Sequence, residues 1–344
     1  MRLTSLHLHQ FRSHVDAQFT FDQNVTSIIG PNGSGKTNIL EAIYTLMMGK
    51  SFRDGDDELI TYDEDWYRIE GVIEETNREL RYQPSNKGKQ LLIDGTPKGR
   101  FTYRQQLPVV LFEPDDLLMI HGSPSARRKY LDDLLSRLSL PYRQTLHRYE
   151  RALLQRNNLL KKQLSTRELS DALFAWDITL STLGAEMIRA RNNIITEIDA
   201  VLTGYYRGIT GHTETITIRY ETQHGDESNE LARLLAQRLP QDRLRGFTTV
   251  GPHRDDIEFL MGGKSMKTTA SRGEIRTLLL ALKFTELSLI EHYTGDSPLF
   301  LLDDVFSELD ASRQRALMQF MGGVQKIITT THLSTKNKSQ IIEL

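Results

Sequence analysis

One octapeptide constrains this chain more than any other feature. Gly30-Pro31-Asn32-Gly33-Ser34-Gly35-Lys36-Thr37 fits the pattern G-x-x-x-x-G-K-[ST]. An apolar run, Val25–Ile29, leads into it, and Ile39, Leu40, Ile43, Leu46 and Met47 follow at helical spacing. Glycines allow successive backbone N–H groups to curl around a phosphate, and the N-terminus of the following helix adds positive potential. In that arrangement Lys36 reaches the β- and γ-phosphates of a nucleotide and Thr37 holds Mg²⁺. The chain must then build an α/β sheet that presents this loop at the carboxyl end of a strand.

A second strand end supplies acids. Leu299-Phe300-Leu301-Leu302 reads as a buried strand that delivers Asp303 and Asp304 at its C-terminal end. Asp303 completes the Mg²⁺ shell, and Asp304 polarises the attacking water. Further buried strands are expected at Val109–Phe112 and Lys326–Ile328, and an antiparallel meander between Trp66 and Gly95 with a hairpin turn at Asp94-Gly95.

Three shorter stretches narrow the class. Ser271-Arg272-Gly273-Glu274 opens a helical run and resembles the ABC signature S-x-G-[EQ], in which Ser271, Gly273 and Glu274 act in trans on a nucleotide held by another subunit. A plain capping box has the same Ser-x-x-Glu spacing. Ser307-Glu308-Leu309-Asp310 resembles the D-loop S-x-L-D, through Ser307 and Asp310, and His332 follows the last apolar strand where ABC proteins place a switch histidine. In their order along the chain, the five motifs imply an ABC-type ATPase with Asp304, Lys36 and His332 as its catalytic side chains.

From Ser123 the apolar period becomes helical. Leu146, Tyr149, Leu153, Leu160 and Leu164, then Leu173, Trp176, Leu180, Leu183, Met187, Ala190 and Ile194, mark two long helices that pair across a turn at Ser165–Arg167. The expected layout is an ATPase domain of 1–122 and 247–344 interrupted by an inserted helical hairpin domain of 123–246. Net charge is only −2, yet residues 121–167 carry eleven basic against three acidic side chains, a local excess of +8. This charge makes the insert the candidate DNA-binding and dimerisation domain, with Arg127, Arg128, Lys129, Arg148 and Arg151 as contact candidates. Arg53, outside the insert, joins these candidates because its position resembles that of an arginine associated with DNA-stimulated hydrolysis in SMC heads.

Composition removes other classes. The absence of cysteine excludes disulfides and thiolate chemistry. No run approaches a membrane span, so the expected location is the cytoplasm.

The insert is too long for a transporter ATPase and too short for an SMC coiled coil. In this it resembles the RecF family, bacterial recombination mediators of the ABC/SMC superfamily. The residues that carry the likeness include Phe11-Arg12-Ser13, Ser51-Phe52-Arg53, Gly122–Arg128 and Thr249–Asp256. The resemblance implies an ABC/SMC-type head, a mixed sheet with an antiparallel subdomain and an inserted helical domain. It implies ATP and Mg²⁺ as ligands, an ATP-dependent homodimer, and weak, DNA-stimulated hydrolysis. It also implies sequence-independent binding of duplex DNA and single-strand/double-strand junctions, and partnership with mediator proteins and the RecA recombinase, with no membrane. A transporter ATPase subunit or a nucleotide-switch scaffold without DNA are the other readings of the same loop and acids.

Overall fold

A computed structural model describes residues 1–85, 88–99, 101–304, 311–320, 322–331 and 340–344. The chain separates into two compact units, 1–116 with 286–344, and 117–285.

The first stretch of the chain holds β1 (Leu3–Phe11), β2 (His14–Thr20), β3 (Val25–Ile29), α1 (Lys36–Met48), β4 (Tyr67–Ile73), β5 (Thr76–Gln83), β6 (Gly88–Ile93), β7 (Thr96–Pro97) and β8 (Val109–Phe112). The middle of the chain holds α2 (Leu118–His121), α3 (Pro124–Leu138), α4 (Leu140–Leu160), α5 (Thr166–Thr210), β9 (Ile216–Glu221), α6 (Ser228–Arg245), β10 (Asp256–Met261), β11 (Lys264–Ser265), α7 (Met266–Thr269) and α8 (Arg272–Thr294). Then come β12 (Leu299–Leu302), α9 (Ala311–Phe320), β13 (Lys326–Thr330) and β14 (Gln340–Glu343).

Two sheets build the first unit. The strands of one run antiparallel in the order β2-β1-β4-β5-β6-β7, and the other has the order β14-β3-β13-β12-β8 with every described pairing parallel. Their periodicities differ for a physical reason. β4 alternates buried and part-buried residues along its length, because one face meets the core. β8, at the edge, and β12, inside, are both buried at every position, as expected where both faces of a parallel sheet are covered. Leu6 and Leu8 of β1, Ile28 of β3, Ile39, Leu40 and Ile43 of α1, and Leu301 of β12 are fully buried in one apolar cluster. The Asp94-Gly95 turn takes positive φ at both residues, 48° and 73°, as a tight two-residue hairpin requires.

The second unit is a helical hairpin with a small sheet. α4 and α5 are the paired long helices, and Ser165 caps α5 through a reciprocal box with Glu168. Residues 247–285, expected with the ATPase part, belong to this unit instead. β10 pairs antiparallel with β9 in a three-stranded sheet of its own, so the strand pattern that resumes there is not a return to the parallel sheet.

Candidate nucleotide site

β3 ends at Ile29 and α1 begins at Lys36, so Gly30–Gly35 form the turn between them. Gly33 and Gly35 hold φ of 82° and 92°, a left-handed backbone that side chains with a Cβ seldom adopt. At Gly35 a Cβ would also stand 2.7 Å from Ser13 Oγ and 2.8 Å from His14 Nε2. His14 donates to the Gly35 carbonyl at 3.2 Å, and burial holds its pKa below the ordinary histidine value. The β1–β2 turn therefore braces the loop from outside.

Lys36 is buried and folds back over the loop, with Nζ donating to the carbonyls of Gly30 and Pro31 at 2.8 Å each. An ammonium held over its own loop is poised to exchange carbonyl oxygens for phosphate oxygens. At the next residue, Thr37 Oγ1 donates to Asp303 Oδ1 at 2.9 Å. Asp303 is 3% exposed and also accepts from Thr329 Oγ1 at 2.8 Å and from Arg53 Nη2 at 3.3 Å. The parallel register explains these meetings: β12 lies between β8 and β13, and β13 lies beside β3, so their carboxyl ends share one rim. Asp304 takes φ of 50° and donates its backbone N–H to Thr329 Oγ1 at 2.9 Å. Ser307, Asp310 and His332 lie outside the described residues.

Glu41 has no counterpart in the sequence reading. It is fully buried on α1 and accepts two hydrogen bonds from Arg12, each 2.9 Å, and one from Ser51 Oγ at 2.6 Å. Arg12 also pairs with Asp54 and donates to the Glu58 carbonyl at 2.8 Å. These bonds, Glu41 first, raise the Arg12 pKa above its ordinary value. Arg12 has positive φ, 54°, in the turn after β1. Glu41 and Ser51 thus tie that turn to the loop that carries Arg53. A carboxylate among Ile39, Leu40 and Ile43 was the available signal, since a buried charge on an apolar stripe requires a partner.

In the second unit, Ser271 and Glu274 form the capping box. Ser271 N–H and Oγ each donate to Glu274 Oε2 at 2.7 Å, and Glu274 N–H returns to Ser271 Oγ at 3.3 Å. The stretch around Arg127 is structural. Arg127 is 4% exposed and makes a bidentate pair with Asp256 at 2.6 and 2.8 Å, so its expected role as a DNA contact does not hold. Arg128 is half-buried and spends one N–H on the Asp255 carbonyl. Lys129, Arg148 and Arg151 are exposed, as are Lys161, Lys162 and Arg167. Arg156 is fully buried between Asp177 and Asp242, which removes another charge from the expected basic surface. His253 bonds Tyr149 Oη at 2.7 Å and the Thr248 carbonyl at 3.1 Å, an internal brace.

Phosphate loop, strand-end acids, and one antiparallel and one parallel sheet together define a P-loop ATPase head of the ABC/SMC type. The family described as RecF/RecN/SMC N terminal domain matches residues 2–342. A DNA replication and repair protein RecF from Thermosynechococcus vestitus is 38% identical over 97% of this chain and 92% of its own length. One from Limosilactobacillus reuteri is 37% identical over 100% of this chain and 96% of its own. A solved structure described as the recombination mediator protein RecF-ATPrS in the RecFOR pathway superposes with a TM-score of 0.88 at 31% identity, covering 100% of this chain and 96% of that one. An Smc head bound to the C-winged helix domain of ScpA shares the fold at a TM-score of 0.55 and 16% identity, covering 100% of this chain and 94% of that one. The chain belongs to the RecF family.

Proposed function

We propose that this chain is a slow ATP-driven switch in recombinational DNA repair. It binds duplex and gapped DNA as an ATP-dependent homodimer and releases it on hydrolysis. The observation that carries the reading is the meeting of Thr37 with Asp303 at 2.9 Å beside a loop whose lysine is folded over it. Full-length likeness to proteins named for DNA replication and repair supports the DNA half. The solved relatives described as RecF-ATP and RecF-ATPrS support the nucleotide half.

The residues fit both ligands. The backbone N–H groups of Asn32, Gly33, Ser34, Gly35, Lys36 and Thr37, in a turn opened by Gly30 and Pro31, suit a polyphosphate, and Lys36 Nζ lies over that loop. Thr37 and Asp303 offer the hard oxygen donors that Mg²⁺ takes, and the ion supplies charge neutralisation at the phosphates. Asp304 orients and polarises the attacking water, and its arm, a methylene shorter than the glutamate usual here, makes turnover slow. Ser271, Gly273 and Glu274 present a helix N-terminus to the nucleotide of a second copy, so nucleotide stabilises the dimer by mass action. Glu274 must then share or release the Ser271 hydroxyl that it now holds. Ser307, Asp310 and His332 take the D-loop and γ-phosphate roles that the resemblance assigns.

Lys129, Arg148 and Arg151 stand as the DNA contacts, with Arg53 acting near the nucleotide. Loss of the γ-phosphate removes the clamp between copies, and the protein leaves DNA and hands over to mediator partners and the RecA recombinase. The test is Asp304→Asn with gapped DNA. It is expected to bind ATP, hydrolyse it at least about tenfold more slowly, and dissociate from DNA more slowly than wild type. A variant that neither dimerises with ATP nor outlasts wild type on DNA sinks the clamp reading.

A further inference from the structure

Away from the phosphate loop, the antiparallel sheet of the first unit gathers two imidazoles and two carboxylates on one face. β1 places His7 and His9 two residues apart, so both side chains leave the same side, while Leu6 and Leu8 turn into the core. The neighbouring strands complete the group by register. His9 lies opposite Asp16 of β2, and His7 lies opposite Glu70 of β4. The two imidazole centroids are 3.9 Å apart. The ATPase reading gives no task to these residues.

Their atoms sort into an inner and an outer set. His7 Nε2 and His9 Nδ1 face the same Asp16 oxygen, Oδ1, at 2.6 and 3.5 Å. The other nitrogen of each ring faces Glu70 Oε2, His7 Nδ1 at 3.6 Å and His9 Nε2 at 3.9 Å. One ligand atom from each of His7, His9 and Asp16 lies within 4.8 Å of the others. Tetrahedral coordination at ordinary Zn–N and Zn–O lengths separates ligand atoms by roughly 3.3 Å, a value that the two distances to Asp16 bracket. Metal-bound histidines regularly donate their second N–H to a carboxylate, which fixes tautomer and ring angle, and Glu70 Oε2 lies just outside hydrogen-bond distance of both, so a shift of less than about 1 Å would let it serve both.

We infer that His7 Nε2, His9 Nδ1 and Asp16 Oδ1 form a site for one divalent ion of the Zn²⁺ or Ni²⁺ kind, with Glu70 orienting both rings. Two imidazoles and one carboxylate select such ions over Mg²⁺, which prefers oxygen ligands alone. The fourth position is open to water, since the Asp16 side chain is 68% exposed. Binding moves one proton on each ring at most: the His7 proton leaves Nε2 for Nδ1, facing Glu70, and His9 carries its own on Nε2. Arg68 opposes this state. Its Nη2 stands 2.9 Å from His9 Nε2 as a donor, so it must swing away when that nitrogen carries the proton. Arg68 Nε already lies 3.1 Å from Glu70 Oε1, which gives the displaced guanidinium a place to rest.

The experiment is a Zn²⁺ titration of the tag-free full chain, without nucleotide, against a chromophoric chelator. Wild type is expected to take up one Zn²⁺ saturably in the presence of millimolar Mg²⁺. His9→Ala and Asp16→Ala are expected to weaken binding at least about tenfold, and Glu70→Gln by about 10–100-fold. Arg68→Ala is expected to tighten it severalfold, and Thr37→Ala to leave it unchanged, which separates this site from the nucleotide site. These side chains lie on the open face of the sheet, so retained ATP binding and an unchanged melting curve report an intact fold. As a milder pair to the alanine variants, His7→Asn keeps the shape of the side chain and is expected to weaken Zn²⁺ to the same degree. Absence of saturable binding by wild type, or wild-type affinity in a His7→Ala/His9→Ala double variant, overturns the inference.

Discussion

Asp303 accepts from Thr37, Thr329 and Arg53 at once, and the three donors differ in what they do when a cation arrives. Thr37 and Thr329 can remain, one as a co-ligand and one as a brace. The positive charge of Arg53 beside Oδ2 repels a divalent ion there, so Arg53 competes with the cation. The Arg53 side chain is 40% exposed, and such pairs contribute about 0–1 kcal/mol, which limits the competition to about fivefold. Arg53→Ala is therefore expected to lower the Mg²⁺ concentration needed for half-maximal nucleotide binding by up to about fivefold, measured with a fluorescent analogue. An increase would show that Arg53 helps the nucleotide more than it blocks the metal. His253 offers a second test, by pH. Burial, aided by the charges of Arg254 and Arg128, pushes its pKa down to about 4. Its pKa is about 6.5 in an unfolded chain. The unfolded state then binds the proton that the folded state refuses, so the stabilisation is complete above pH 6.5 and is lost as pH falls from 6.5 to 4. The ring edge is partly open, so the loss should be about 1–3 kcal/mol. Urea melts at pH 7 and pH 4.5 should show it in wild type, and His253→Gln should lose less between the two.

The helical hairpin is fastened by charges where its sequence pattern has gaps. Along α4 the apolar stripe runs Tyr149, Leu153, then Leu160, and the missing step is Arg156. Arg156 is fully buried, donating to Asp177 of α5 at 2.7 Å, Asp242 of α6 at 2.6 Å and Thr248 Oγ1 at 2.9 Å. Arg191 fills the same kind of gap on α5, four residues after Met187, and reaches Asp132 of α3 at 2.7 Å and the Pro252 carbonyl at 2.7 Å. Arg156→Ala leaves Asp242 buried without its cation and is expected to cost about 3–5 kcal/mol, read as a lower urea midpoint. An Arg156→Ala/Asp242→Ala pair should cost less than the sum of the two single changes. These gaps mark what the sequence could and could not tell. Strand and helix positions were legible, because burial writes periods of 2 and 3.6 into any chain that folds this way. A charged residue on a stripe was legible as one needing a partner. The partner was not, since Asp242 lies 86 residues from Arg156 and Asp256 lies 129 from Arg127. Counting basic residues therefore overstated the surface: Arg127 and Arg156 face inward. The placement of 247–285 was hidden for a related reason, since strand periodicity does not say which sheet a strand joins.

At the scale of the whole molecule, a net charge of −2 gives no general attraction to a polyanion, so the proposed DNA affinity must come from local groups that remain exposed. Arg148 and Arg151 are one helical turn apart on α4 and both exposed, a spacing that puts them on one face. If each neutralises one phosphate, each contributes about −0.9 to the slope of log affinity against log salt. Arg148→Gln/Arg151→Gln is then expected to make that slope shallower by about 2 and to weaken binding at low salt far more than at high salt. Fluorescence anisotropy of a random-sequence duplex, with ATP and an Asp304→Asn background, measures both. Arg127→Gln is the discriminating control. It is expected to lower thermal stability, because it strands Asp256, while leaving the slope per folded molecule unchanged. A slope that responds to Arg127 and not to Arg148 and Arg151 would move the DNA away from α4 and leave the hairpin as scaffold. A shallower slope in the α4 pair alone would instead join the two units in function: one reads the nucleotide at the carboxyl ends of its strands, and the other carries the charge that holds DNA.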